Sequence, residues 1–414
     1  MSKFKILIHT HSLPITGGSK SLLLLADLLV NAGHKVELIL ENNNVKLLPK
    51  NKIKINVISN FMTYAKSDFY LPNRNESNKG NKGNKAEKIS TYKVNVFQKY
   101  PLVRKILIYT RYLRNLLLWY GKKHGVKKLI SKNKYDFVIT NNMYNDLEHI
   151  FYYDNVNKIM SIRNSPEEVF TKRIQPKLFS FDKYFKNISF VCVSKDSESE
   201  LRKITDRPTS TIYNPFDFSY IRLKSNETLP IEDTMNKKYF LIVGSLCKRK
   251  RVDIAIKSFS RLNHRDEYKL LIVGDGEEKS NLKVLADNLG VSENVLFLGN
   301  QENPYSYMKN AKATLLTSES EGLPRVLVES LIVGTPVISS DCPTGPRELL
   351  GPESKYLVKM EDEASMVNNF SSIMDDAIKF GIEQNICLDR FDPTSILHQW
   401  ELVFKKIKNE KRYN

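Results

Sequence analysis

Ser318–Ser330 reads SESEGLPRVLVES and sets two glutamates, Glu321 and Glu329, on either side of Gly322-Leu323-Pro324 and a short apolar run. Pro324 suits the first position of a helix, where its missing N–H would have no intrahelical partner anyway. A helix over Arg325–Ile332 follows. The free N–H groups at its start and the positive end of its dipole favour an anion such as a diphosphate. Glu329 then falls about a turn and a half into that helix. A carboxylate there can accept from both hydroxyls of a ribose, as acidic residues do in dinucleotide folds. Glu321, in the preceding loop, can accept from hydroxyls of a sugar beyond the phosphates. So read, one segment offers sugar, diphosphate and ribose contacts in the order of a nucleotide sugar. The competing reading is that Glu321 merely complements the helix dipole and Glu329 is a surface residue; two glutamates at this spacing arise readily by chance.

The elements that would position these residues occur twice. Phe4–His9 is an apolar run ending in a loop, Thr10–Gly18, that contains Pro14, Gly17 and Gly18. A helical run over Ser19–Ala32 and a strand at Lys35–Leu40 follow. Strand, glycine turn, helix and strand predict a parallel sheet covered by helices. Gly17 and Gly18 would let backbone approach a ligand at the helix start, or serve only the turn. Tyr135–Thr140, Ile159–Ile162 and Ser189–Val193 predict further strands, and a helix begins at Ser194. A second unit opens at Tyr239 with YFLIVGSLCKRKRVDIAIKSF, and KLLIVGDGEEKSNLKVLADNLG repeats its pattern with Gly274-Asp275-Gly276 at the turn. ATLLTS leads into the glutamate segment and GTPVISS follows it. The expected fold class is α/β, with two Rossmann-like doubly wound domains facing across a cleft. Their ligands should bind beyond the carboxyl ends of the strands. The expected boundaries are an N-terminal domain over 1–215, a linker over 216–238, a C-terminal domain over 239–390 and a terminal helix within 391–414. The low-complexity run 73–88 (NRNESNKGNKGNKAEK) offers nothing apolar to bury and predicts a flexible surface insertion.

A chain of 414 residues exceeds one ordinary core. With 41% hydrophobic and 27% charged residues it is globular rather than disordered. The formal net charge of +18 calls for an anionic partner. Much of that charge lies in 88–134, where no acidic residue occurs and lysines and arginines alternate with Tyr109, Tyr112, Trp119, Tyr120 and leucines. This pattern suits peripheral contact with an anionic membrane, against an ordinary helix with a solvated basic face. No nucleic-acid motif accompanies it. Cys192, Cys247, Cys342 and Cys387 form no CxxC pair, so neither a metal site nor a disulfide framework is expected, and a reducing compartment fits. The opening residues carry no signal-peptide pattern. The expectation is therefore a cytoplasmic location, at the inner face of the cell membrane.

EGLPRVLVE followed by GTPVISSDCPTGPREL resembles the signature of the GT4 retaining glycosyltransferases of GT-B fold, whose E-x7-E motif sits in an EG(F/L)P…E…GTPV run. The resemblance extends to GGSKSLLLLADLLVNAGHKVELI, VSKDSESELRK, IYNPFD and LIVGSLCKRKRVDIAIKSF. It implies that Glu321 contacts the donor hexose and that Gly322, Leu323 and Pro324 shape the loop meeting sugar and phosphate. It implies that Glu329 holds the ribose, Lys250 neutralises the diphosphate, and Gly17, Gly18 and Gly274 line the donor site. Two departures stand out. Ser245 occupies a position where the family often has arginine, so Lys248, Arg249 or Arg251 must supply that charge. Arg163-Asn164 stands on the acceptor side, where many members have histidine.

No Asp-x-Asp occurs, so no metal and no cofactor is expected. Lys250 and helix N–H groups would stabilise the leaving nucleotide diphosphate, with Glu321 and Lys250 as the catalytic pair. In a retaining reaction by attack from the leaving-group face, the diphosphate itself can take the acceptor proton, so the two glutamates need not act as an acid/base pair. The activity so implied is transfer of a hexose or N-acetylhexosamine, from UDP more often than GDP by family frequency. The acceptor would be a glycan or lipid-linked chain of a surface polysaccharide, lipopolysaccharide or capsule. The alternatives are a non-hydrolysing nucleotide-sugar epimerase of the same fold and a non-catalytic basic membrane-binding protein.

Overall fold

The computed structural model describes residues 3–59, 62–66, 117, 119–142, 149–171, 185, 187–229 and 238–410. The first half is a sheet of eight strands: β1 (Lys5–Thr10), β2 (Lys35–Leu40), β3 (Lys54–Ser59), β4 (Met62–Lys66), β5 (Phe137–Asn142), β6 (Asn157–Ile162), β7 (Ile188–Cys192) and β8 (Thr209–Thr211). Their order is β4-β3-β2-β1-β5-β6-β7-β8, parallel except for β3–β4. The second half is a six-stranded parallel sheet of β9 (Lys238–Val243), β10 (Tyr268–Val273), β11 (Val295–Gly299), β12 (Ala313–Leu316), β13 (Val337–Ser340) and β14 (Leu357–Val358). Its order is β11-β10-β9-β12-β13-β14. Consecutive buried residues such as Ile6, Leu7 and Ile8 show that helices cover both faces, which is why these strands read as unbroken apolar runs. Each sheet grows one way and then the other. The switch falls between β1 and β5 in the first and between β9 and β12 in the second, and the loops beyond those strands are where such sheets bind ligands.

The helix Arg325–Ile332 lies where the sequence predicts it. Pro324, however, is its N-cap rather than its first residue, because its ψ of 101° is still extended. The first helix of the chain is Gly17–Asn31, so Gly17 and Gly18 form its first turn instead of the loop before it. The cause is Thr16, whose hydroxyl accepts from the Ser19 N–H and fixes the helix start two residues early. Within the expected linker, a helix at Phe218–Ser225 is capped by Asp217. The terminal helix Pro393–Glu410 packs on the first sheet: the Phe404 and Phe137 rings are 4.6 Å apart and Lys408 Nζ is 2.6 Å from Asp136. The insertion 73–88 and most of the basic stretch 88–134 lie outside the described residues. All four cysteines are free. No described helix is long and apolar enough to cross a membrane.

Candidate active site

Glu321 and Lys250 are distant in sequence but follow β12 and β9, which pair in parallel at the switch of the second sheet. Lys250 Nζ lies 2.5 Å from Glu321 Oε1, and Arg249 Nη1 lies 3.3 Å from the same oxygen. Arg249 also donates to the Ser320 carbonyl. Glu321 is buried, which alone would raise its pKa; the Lys250 charge and then Arg249 outweigh burial and hold it below the ordinary carboxylate value. The competing reading of Glu329 as a surface residue is overturned, since it too is buried. Arg325 donates to Glu329 Oε1 through Nε at 3.3 Å and Nη2 at 3.0 Å, one helical turn away.

The three candidates to replace an arginine at Ser245 separate cleanly. Ser245 is exposed, with its hydroxyl 3.8 Å from Cys247 Sγ. Residues 248–250 form a single 3-10 turn, and Arg251, in the left-handed conformation, leads away into the next helix. Arg251 consequently pairs with Asp253, Glu319 and Glu363. Arg249 is the one that reaches Glu321. Gly274 stands behind this loop. A Cβ there would come within 1.8 Å of the Gly244 carbonyl oxygen, so Gly274 permits the β9 and β10 loops to pack.

The first domain closes on this wall at several points. A Cβ on Gly322 would meet the Arg163 carbonyl oxygen at 2.1 Å and the Asn164 nitrogen at 3.0 Å, so only glycine allows this approach. Ser194 donates to the Gly322 carbonyl at 2.9 Å, and Asp196 accepts from the Gly345 N–H at 3.2 Å. Leu323 is buried beside Gly322. Gly17 leaves room for the Arg325 stem, whose Cδ would lie 3.0 Å from a Cβ there, and Gly18 follows in the same turn. The Arg325 guanidinium crosses to Ser21 Oγ at 2.6 Å and the Pro215 carbonyl at 3.3 Å.

The family profile described as "Glycosyl transferases group 1" matches residues 227–384. The uncharacterized glycosyltransferase MJ1059 of Methanocaldococcus jannaschii is 31% identical over 285 residues, 62% of this chain and 69% of that protein. The chain belongs to the group 1 glycosyltransferases. A second relative of this glycosyltransferase is an N-acetylgalactosaminyltransferase of Campylobacter jejuni named for a diphospho-undecaprenol-linked substrate. It is 34% identical over 174 residues, 42% of this chain and under half, 46%, of that protein. The crystal structure of Anabaena HepE in complex with UDP and glucose superposes with a TM-score of 0.64 at 16% identity, covering 97% of this chain and all of that one, and shows the shared GT-B fold. In the glycosyltransferase, Lys250 meets Glu321, Gly322 meets Arg163 and Asn164, and Gly17 meets Arg325, the partner of Glu329.

Sequence reasoning missed Arg325, although it stands inside the motif, because its reach into the other domain has no local signature. It also missed Lys20, whose pKa burial lowers and which feels the charges of Glu329 and Arg325. The third omission is the pair Asn141 and Asn214, which hold the Arg163 guanidinium at 3.1 and 2.9 Å.

Proposed function

We propose that this glycosyltransferase moves a hexose or N-acetylhexosamine, with retention of configuration, from a UDP-sugar to a glycan or lipid-linked acceptor in surface polysaccharide biosynthesis. The observation that carries the reading is the pair of buried carboxylates flanking one loop, one ion-paired to Lys250 and Arg249 and the other to Arg325. Burying charge in this way costs free energy unless partners offset it. Charged side chains gathered at the switch points of two sheets are therefore matched to a polar, anionic ligand. Glu329 holds the ribose, Glu321 the hexose hydroxyls, and Lys250 with Arg249 neutralises the diphosphate between them. The sugar–phosphate bond breaks with its electrons on the phosphate oxygen, the acceptor oxygen bonds to the same face of the sugar carbon, and the acceptor proton passes to the phosphate. The cations stabilise the charge on the departing oxygen, and no metal is assigned a part.

The acceptor side and the membrane are joined in this reading. The name of the Campylobacter relative refers to a polyprenyl-diphosphate substrate, and the basic helix at 119–132 starts at the carboxyl end of the first sheet, where Lys122 reaches Glu41 just beyond β2. Thermal-shift titration with UDP, GDP and their sugars tests the donor site. A ligand binding only the native state raises the melting temperature with concentration. The expected result is a shift with one nucleotide class that is lost in Glu329→Ala. No shift with any of them would refute the donor reading.

A further inference from the structure

Three cations stand where the domains meet and are not used by the donor contacts assigned above. Arg163 follows β6, Lys20 lies in the first helix and Arg325 opens the helix after the glutamate loop. Arg163 is held by two neutral oxygens, Asn141 Oδ1 at its Nε and Asn214 Oδ1 at its Nη1, and pairs with no carboxylate among the described residues. Burial and the neighbouring Arg325 charge lower its pKa to about 10. Lys20 likewise has no ion pair among the described residues; its ammonium lies 5.5 Å from the centre of the Tyr305 ring. Arg325, over the Phe216 ring at 4.1 Å, has Glu329 as its carboxylate. Arg249 and Lys250 meet Glu321, Arg325 meets Glu329, Lys20 feels the charges of Glu329 and Arg325, and Arg163 feels that of Arg325. Half-buried cations held only by neutral acceptors are costly unless an anion completes the site.

Position identifies the anion. The Arg163 backbone lies against Gly322 while its guanidinium reaches Asn214, whose neighbour Pro215 accepts from Arg325, and Lys20 stands on the helix between Gly17 and Ser21, which both meet Arg325; the pair therefore approaches 322–329 from the opposite domain. That is the span between the hexose and ribose contacts. We infer that Arg163 and Lys20 of the first domain, with Arg325 of the second, form the other half of the leaving-group site and bind the diphosphate as it departs as a free nucleoside diphosphate. This rests on the donor reading above. A sugar nucleotide carries about two negative charges on its diphosphate, and the freed diphosphate approaches three at neutral pH, since a terminal phosphate has its second pKa near 6. When the bond from the sugar carbon to the phosphate oxygen breaks, both electrons remain on that oxygen, before the acceptor proton reaches it. A guanidinium fixed beforehand by two carboxamides stabilises this added charge without reorganising. The site is complete only while the domains are together, so catalysis and closure are coupled through the same side chains.

The test is calorimetric titration of the full-length protein with UMP, UDP and UDP-glucose and with the guanosine series. It compares wild type with Arg163→Gln, Arg163→Lys and Lys20→Gln, each first checked for an unchanged melting curve without ligand. Arg163→Gln should weaken the free diphosphate about tenfold to a hundredfold, weaken the intact sugar nucleotide less, and leave the monophosphate unchanged. Arg163→Lys should recover part of the loss, and Lys20→Gln should act in the same direction. Lys20 provides the second route if Arg163→Gln fails to fold. Equal losses for monophosphate and diphosphate, or diphosphate binding as in wild type, would overturn the inference while leaving the donor site standing. A wild-type protein that binds none of these nucleotides would overturn both.

Discussion

At Glu321 burial and charge oppose one another. Removal from water raises its pKa, and Lys250 and Arg249 more than reverse the effect. The sign of the linkage follows. A carboxyl group whose folded pKa is depressed binds its proton more readily in the unfolded chain, so its contribution to stability is complete above the unfolded value and disappears as pH falls through the folded one. Unfolding free energies measured in urea at pH 7, 5 and 3.5 should show this directly. Glu321→Gln should be less stable than wild type at pH 7, since it leaves two cations facing a neutral amide. The gap should narrow below about pH 4.3, the ordinary glutamate value. A gap that is independent of pH would mean that the pairing seen with Lys250 does not contribute to folding.

The terminal helix Pro393–Glu410 brings the last residues back to the first sheet. It buries Ile396, Trp400 and Phe404 while leaving Leu402 half exposed. Phe404 packs against Phe137 of β5 with the rings tilted and meets Phe4, just before β1, edge-on. Phe404→Ala should therefore destabilise the protein by about 3–5 kcal/mol, and Leu402→Ala by about 0.5 kcal/mol or less. Similar urea midpoints for the two variants would mean the helix is not anchored there. At this scale the sequence is legible where the cause is local. Arg325–Ile332 and the strands around it follow from a proline, a glycine and an apolar pattern within a few residues. The start of the first helix was misread by two residues because Thr16 caps it through its side chain while Gly17 and Gly18 resemble a turn. The choice among Lys248, Arg249 and Arg251 was closed to sequence reasoning for a different reason. Adjacent residues on a 3-10 turn point in different directions, and only the turn's seat beside β12 decides which one meets Glu321. Arg325 and Arg163 were beyond reach because their roles depend on a contact between domains.

Over the whole molecule, the excess of 18 positive charges is unevenly placed, and the described part of the basic stretch shows how it divides. Within 119–132, Val126 and Leu129 are buried, and Lys122 forms a 2.6 Å ion pair with the buried Glu41. Lys122 is therefore a structural residue and a poor choice for probing membrane contact. Lys127 pairs with Asp154 at 3.2 Å on the surface, where such a pair contributes little. The half-buried Lys123 and the exposed Lys128 and Lys132 pair with no carboxylate among the described residues, and Leu117 and Tyr120, 64% and 59% exposed, stand just before Lys123. Exposed cations next to exposed apolar groups are what an interfacial helix offers to anionic lipid. Each lysine near such a surface contributes about 1 kcal/mol, so the triple variant Lys123→Gln, Lys128→Gln, Lys132→Gln should bind phosphatidylserine vesicles about a hundredfold more weakly in flotation. Wild-type binding should fall as salt rises. Nucleotide binding should be unaffected, because these lysines stand apart from the glutamate loop. Lys122→Gln should instead lower the melting temperature by leaving Glu41 without its ammonium. Flotation of the triple variant equal to wild type would remove this helix as the membrane contact.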